Sequence, residues 1–472
     1  MTAARPVLTD LRPPLSDRRN LPLLAALAFA VAAQILLATL YGAAHGVERG
    51  SWTAAITVLL LLCLPGFGVL WAVWTARSIP VNWRVGMAVV VTGVLMRTPY
   101  FGAGPMLEDD HFRYLLDGAF SAHGLSPYAF APKALLSGVG GAQLPLVQVG
   151  RTVIEAINFP ELRSIYPGGA QALFAVAHWL APWSLDGVRV IIFGAEALAA
   201  LLIWRLLVSS GRSPLLTALY WCNPLMTFCL TGQAHIDAAL APPILLALFA
   251  VRRRSAAGAG LCLGIAVGMK LWPLLLAPLL ARVLWPDRRS IAIFVAMLGV
   301  VTLALCGPLL WTSLGADAGL TAYAGGWSVN NAPYAWASYL VFLLVGSGAG
   351  EAYLRVLVAL AAVGASLIAA AQRPAGFETM VARAAILAAV LFYLSPAQFP
   401  WYAAWFLPLA AASGSWSLSA ASVGLPIYFL FFPLAAAGLR DLHGYGLAFL
   451  HLTPLLLVAL LRRPWGRTGE AA

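Results

Sequence analysis

Charge is what this 472-residue chain lacks most. Only 10% of its residues are Asp, Glu, Lys or Arg, against about 25% in a soluble protein. A soluble multi-domain enzyme and a disordered or collagen-like chain are excluded on that ground. Lysine is nearly missing: Lys133 and Lys270 are the two, beside 27 arginines. The net charge of +11 is therefore no nucleic-acid footprint, because the arginines are scattered between hydrophobic runs, as at cytoplasmic loop ends. Cysteines are few as well. Cys63, Cys222, Cys229, Cys262 and Cys306 lie in or at the ends of apolar runs with no CxxC pair, so they read as small hydrophobes, not as a disulfide or metal framework. Short alternating segments are absent too, which argues against an outer-membrane barrel.

What is present is apolar: 61% hydrophobic residues and a mean hydropathy of +0.85. The chain reads as an all-α polytopic membrane protein. The basic start (Arg5, Arg12, Arg18, Arg19) leads into an apolar run of more than 20 residues, longer than the core of a signal peptide, so that run is expected to be a retained anchor. Candidate spans fall near 22–44, 53–75, 85–100, 188–207, 214–231, 235–251, 256–270, 271–285, 290–310, 352–371, 384–398, 401–413, 416–437 and 445–461. That makes about 14 spans, within a range of 12 to 15. Stretches 166–183 and 335–346 are read as juxtamembrane or re-entrant helices, since counting 166–183 as a span would put the Arg252–Arg254 run outside. With this choice 19 of the 27 arginines fall inside and 8 outside, and both termini are expected in the cytoplasm.

The expected organisation is one integral-membrane domain over 1–472, with a basic tail at 1–21, a long outer loop at 101–165 and the remaining bundle at 166–461. A loop of that length is usually functional or disordered. Its apolar residues, such as Phe112, Leu115, Phe120 and Val147, favour two or three short interfacial helices, broken at Gly124, Pro127 and Gly138–Gly141. No fixed-period repeat stands out.

The loop carries the sharpest local feature, Glu108-Asp109-Asp110-His111-Phe112-Arg113-Tyr114-Leu115-Leu116-Asp117-Gly118. Three adjacent carboxylates repel one another and are costly at a membrane face unless used. Asp110, Arg113 and Asp117 share one helix face by their spacing of 3 and 4. Taken alone, the cluster reads equally well as a solvated loop whose acids cap the next helix. Further on come Gly124-x-x-Pro127-Tyr128-x-x-Ala131-Pro132, Tyr166-Pro167-Gly168-Gly169, Asn223-Pro224, Gly232-Gln233-Ala234-His235-Ile236-Asp237, Lys270 with Pro273, and Ser395-Pro396-x-x-x-Pro400-Trp401-Tyr402.

This ordered set, from about residue 105 to 405, resembles the integral-membrane glycosyltransferases of superfamily C, and most of all bacterial mannosyltransferases that use a polyprenyl-phosphate donor. Ser126 stands where the family often has Asn, and Gly168 where it usually has a second Pro. The resemblance implies a GT-C-like bundle with a catalytic first outer loop. It implies a polyprenyl-phosphate sugar as donor, most readily mannose, a lipid or glycan acceptor, and no obligatory cofactor or divalent metal, while the Glu108, Asp109, Asp110 cluster leaves metal binding open as an alternative. The arginine-derived topology puts these motifs at the outer ends of spans, where one outward cavity can gather them.

The chemistry asks for a carboxylate to take the acceptor's proton, a positive group to meet the departing phosphate, and an apolar groove for the tail. Asp110 matches the family's first acidic position and is the expected general base, with Asp109 and Glu108 as alternatives. Arg113 and Lys270 are the candidates for the phosphate, joined by His235 and Asp237. His235 and Asp237 are two apart and do not share a helix face, so a direct relay between them is not expected; capping the span is the other reading. Tyr114, Asp117, Tyr128, Tyr166, Asn330, Trp401 and Tyr402 are candidate contacts for sugar or acceptor, though Trp401 and Tyr402 read equally as interfacial aromatics. Glu196, near mid-span, is functional or is held by a buried hydrogen bond to an Asn or Trp. Two other functions remain open: a polysaccharide ligase or polymerase using lipid-diphosphate sugars, and a secondary transporter, which would more usually show repeats and midplane charges.

Overall fold

A computed structural model describes residues 20–42, 50–78, 81–104, 107–138, 140–313, 315, 317–346 and 349–462. The basic tail with Arg5, Arg12, Arg18 and Arg19 lies outside them. The described chain is helical, with no strand beyond an isolated bridge between Val329 and Ala397.

Among the described residues, eight helices are long and apolar enough to cross a membrane: Leu21–Leu40, Trp52–Ala76, Leu185–Ser209, Arg288–Thr312, Gly350–Ala371, Phe377–Leu394, Trp416–Ala436 and Arg440–Leu461. Each coincides with an expected span. A span needs about 20 residues at 1.5 Å rise, which all eight supply or approach. The chain is a multi-pass membrane protein by this measure. The other six expected spans are shorter or broken. Trp83–Arg97 stops at Thr98-Pro99, because proline cannot continue the ladder. Ala256–Met269 and Trp272–Leu284 are shorter apolar helices, as is Ala332–Val345. Residues 401–413 are a 3₁₀ stretch followed by Leu407–Ser413.

Pro224–Gly232 and Ile236–Arg252 pass the length test only as a pair, bent by 105°, which would bring the count among the described residues to nine. The bend has identifiable causes. Phe228–Gly232 is a π-helical turn and Ala234 takes a left-handed φ of 61°, so the ladder is interrupted there and carbonyls lose their partners. Arg189, fully buried, supplies replacements: its guanidinium donates to the carbonyls of Thr231 (3.2 Å) and Gly232 (3.0 Å).

Glu196 is occupied in the same region. Arg97 donates to both of its carboxylate oxygens (3.1 and 2.5 Å), and Thr231 adds a third bond at 2.6 Å, with both charged side chains wholly buried. The partner is thus an arginine and a threonine, not the Asn or Trp considered from sequence. Nη1 of Arg97 donates to the carbonyls of Gly93 and Trp221, each at 2.8 Å. A buried charge needs such partners.

Residues 107–165 form four helical pieces, Asp110–Ala122, Pro132–Leu136, Pro145–Val149 and Arg151–Glu155, with a 3₁₀ turn at Gly140–Gln143. They close over a small core of their own: Leu116, Phe120, Leu135, Val147, Ile154 and Ile157. Gly124 and Gly138, at φ 71° and 80°, make the expected breaks where a side chain would be strained. Asp110–Ala122 crosses Gly168–Leu180 so closely that a Cβ on Gly118 would come within 2.4 Å of the Phe174 carbonyl oxygen. Gly169 meets the Gly268 carbonyl at 2.6 Å in the same sense. These glycines set the first loop against the bundle.

Contacts between helix ends order the bundle along its axis. At one end Arg252 donates to Ser209 (2.8 Å), Arg212 to the Ser413 carbonyl, Arg254 to Val283 (3.2 Å) and Arg383 to Ala369 (3.3 Å). At the other end Asp186 accepts from the Gly102 N–H (2.9 Å), and Val329 bonds across to Pro396 and Gln398. Helix ends rich in arginine therefore gather away from the first loop.

Candidate functional site

At the loop end of the bundle, a cavity of about 730 Å³ opens between Asp110–Ala122, the chain around Tyr166, the bend at Ile236, the turn at Lys270 and the 399–405 turn. Ten of the sequence-derived candidates line it: Glu108, Asp109, Asp110, Arg113, Tyr114, Tyr166, Asp237, Lys270, Trp401 and Tyr402. An apolar groove of about 390 Å³ adjoins it and shares Tyr323, Trp327 and Ser395 with it. Val356, Ala359, Ala362 and Leu391 form its wall, and Arg355 stands beside them.

The three adjacent acids point to three different partners. Glu108 accepts from the Tyr428 hydroxyl at 3.0 Å, and Asp109 from the Asn158 amide at 2.6 Å. Asp110 faces His235, with Oδ2 3.8 Å from Nδ1. Burial, reinforced by the charge of Asp109 and partly offset by the Asn158 amide and the Lys270 charge, raises the Asp110 carboxyl to about 6. About a third of that side chain (34%) is open to the cavity, and water there moderates the shift. Among the described residues no group of three or more His, Cys, Asp or Glu side chains converges as metal ligands would.

Opposite the acids, Lys270 caps the end of Ala256–Met269 and lies 2.8 Å from Asp237, which also accepts from the Trp405 indole at 2.9 Å. The ammonium sits 3.6 Å from the centre of the Tyr402 ring, a cation–π arrangement. Lys270 thus enters the cavity with its charge already offset. Arg113 is buried against the Phe159 carbonyl (3.3 Å).

Several candidates are placed differently from the expectation. Trp401 lines the cavity, yet His235 stacks on it at 3.7 Å and 9°, and Phe399 at 4.4 Å and 13°. Two nearly parallel rings that close must lie on opposite faces, so neither face of Trp401 is open to a sugar. Tyr402 is covered by Lys270 and by Trp405 at 4.6 Å; its hydroxyl bonds that of Tyr323 at 2.8 Å. Asp117, Tyr128 and Asn330 sit behind the wall. Asp117 accepts from Ser164 and from Gln171 (2.9 Å), Tyr128 donates to the Tyr166 carbonyl (2.7 Å), and Asn330, at φ 52°, donates to Gln398 (3.2 Å). All three are buried and already bonded within the protein, which gives them a role in holding the wall. His235 is fully buried and does not line the cavity.

Sequence reasoning missed Asn158, Arg163, Tyr323, Tyr428 and Arg440, all on the cavity wall. Arg163 pairs with Asp317 at 2.5 Å. Arg440 is exposed, lies over Phe431 at 5.7 Å, and carries no carboxylate partner among the described residues. A charge just past a long apolar run is the signal that would have found it.

Residues 165–396 match the model of glycosyltransferase family 87. The match spans just under half of the chain. It takes in Tyr166, Asp237, Lys270 and Tyr323, and leaves out the acid cluster, Trp401 and Arg440. No curated protein and no solved structure matches the chain. Together with the apolar helices, the family match indicates a membrane glycosyltransferase with a sugar donor and an acceptor.

Proposed function

We propose that the chain moves a hexose, most readily mannose, from a polyprenyl-phosphate donor to a lipid or glycan acceptor in this cavity, on the extracytoplasmic face. The observation that carries the reading is the single cavity that joins Asp110 to Asp237, Lys270 and Tyr323 of the family-matched stretch. Asp110 takes the proton of the acceptor hydroxyl as its oxygen bonds to the anomeric carbon. The bond from that carbon to the phosphate oxygen breaks, and both electrons leave with the phosphate. Arg440 and Arg113 meet that phosphate by charge-assisted hydrogen bonds, and Lys270, held by Asp237, adds a weaker attraction. The adjoining apolar groove takes the hydrocarbon tail beside them. Asp110 releases its proton to water before the next cycle.

The test is transfer of label to membrane lipid by the reconstituted protein, offered polyprenyl-phosphate mannose, glucose and arabinose in parallel with an oligosaccharide carried on a lipid diphosphate. Transfer from polyprenyl-phosphate mannose is expected. Transfer from the diphosphate-linked oligosaccharide alone would make the protein a ligase.

A further inference from the structure

His235 is a buried polar side chain next to Asp110 that the reaction above does not use. The chain reaches it through the left-handed Ala234 at the 105° bend, and the ring is clamped flat against Trp401 at 3.7 Å. It is fully buried, and neither ring nitrogen has a hydrogen-bond partner among the described residues. Buried polar groups are nearly always satisfied, and an exception calls for a physical reason. A ring needed only to fill space under Trp401 would be served by phenylalanine, which leaves no nitrogen unpaired. The neighbouring acid supplies the reason: Nδ1 lies 3.8 Å from Asp110 Oδ2, about one ångström beyond a hydrogen bond. Hydrogen bonds of a resting site are often long and tighten when substrate binds.

We infer that His235 is a positioning residue for Asp110: its Nδ1–H closes onto Oδ2 when the acceptor binds, leaving Oδ1 aimed at the acceptor hydroxyl. The inference rests on the reading of Asp110 as the base. His235 stays neutral and exchanges no proton. Its stack on Trp401 fixes the plane of the ring, so the carboxylate is held in one rotation. This gives Trp401 a task that does not require an open face. The charged or titratable groups around the ring are Asp110 and His111 from the Asp110–Ala122 helix and Lys270 from the turn after Met269.

Three substitutions separate positioning from packing. In His235→Asn the amide nitrogen stands near the place of Nδ1, in His235→Gln it stands near Nε2, and His235→Phe keeps the flat stack without a nitrogen. Turnover is measured with polyprenyl-phosphate mannose, with kcat, the KM for donor and the pH dependence of kcat recorded for each. The Asn variant is expected to keep most of kcat. The Gln and Phe variants should lose about 10- to 100-fold, the cost of an ångström-scale misplacement, with the donor KM unchanged. The acid limb of kcat should move to higher pH in His235→Phe, because the lost donor no longer favours the ionised carboxylate in the bound complex. A Gln variant equal to or better than Asn, or a Phe variant with wild-type kcat, would overturn the inference. The Asn and Gln pair decides the question even if His235→Phe does not accumulate. Asp110→Asn, assayed alongside, tests the underlying reading. If that variant turns over normally, base and positioning role fall together. If it is inactive while His235→Phe is normal, only the positioning role falls.

Discussion

Asp110 differs from Glu108 and Asp109 in what surrounds it. Its neighbours are each held by a donor from another segment, Tyr428 and Asn158, whereas Asp110 keeps a third of its side chain open to the cavity. Asp110→Asn preserves shape and removes proton affinity. General-base catalysis is worth about 10²–10⁴-fold, so kcat should fall at least about a hundredfold while donor binding persists. Glu108→Gln and Asp109→Asn should cost far less, and equal losses in all three would leave no single base. The carboxyl is raised to about 6, and a base works only when ionised. Activity should therefore fall as the pH drops through about 6 and level off above it. Asp109→Asn removes a negative neighbour that helps raise this carboxyl, so its acid limb should lie lower than in wild type; a limb at higher pH would contradict the assignment. Arg440 gives a second prediction at this scale. A charge-assisted hydrogen bond is worth about 1.5–3 kcal/mol, so Arg440→Gln should raise the donor KM by about tenfold or more. Lys270→Met should do less, since the lysine is already paired with Asp237. The reverse order would move the phosphate to Lys270. Acids stand out in an apolar sequence, and for that reason the 108–110 cluster was legible there. Tyr428 was not, because its contact with Glu108 spans 320 residues of chain and nothing local marks it. The covering of Trp401 was illegible on the same ground: of the rings that stack on it, His235 and Phe399, only the fold brings His235 there.

The broken hairpin from Pro224 to Arg252 has a continuous apolar sequence on both sides of its break, so the two spans expected at 214–231 and 235–251 followed from hydropathy alone. Hydropathy measures how apolar a segment is and carries no record of where its ladder is interrupted. The interruption shows in the π-helical turn at Phe228–Gly232, in the left-handed Ala234, and in what satisfies the freed carbonyls, namely Arg189 on Thr231 and Gly232. The same break turns His235 and Asp237 toward Asp110 and Lys270, which places the local backbone strain beside the chemistry. Glu196 is the anchor of this arrangement. Removing one partner of a buried pair leaves the other charge uncompensated, at a cost of about 3–5 kcal/mol. Glu196→Ala should accordingly lower the stability of the detergent-solubilised protein by that order, seen as a large loss of thermal midpoint. Arg97→Met with Glu196→Met should recover part of it. If Glu196→Ala is as stable as wild type but inactive, Glu196 has a functional role that its hydrogen bonds do not reveal.

Across the whole molecule, the arginines and the cavity take opposite ends. The bonds of Arg212, Arg252, Arg254 and Arg383 fasten helix ends on one side, and the first loop, the 399–405 turn and Arg440 close the cavity on the other. Positive charge is retained on the cytoplasmic side of a bilayer, so this distribution supports an extracytoplasmic cavity, the side on which the 8 of 27 arginines were placed from sequence. A single accessible cysteine decides it. Cys63, Cys222, Cys229, Cys262 and Cys306 are free thiols, buried or partly so, and a background lacking all five gives a silent starting point. Ser137 is exposed at the end of Pro132–Leu136 and is not among the residues lining the cavity. Ser137→Cys in that background should react with a membrane-impermeant maleimide in intact cells. A second cysteine in place of the exposed Arg253, at the arginine-rich end, should react only after the cells are opened. If the two labels exchange behaviour, the chain is inverted in the membrane. The lipid-phosphate donor would then have to be met on the cytoplasmic face, and the proposed side of the reaction would be wrong even with every residue of the cavity correctly assigned.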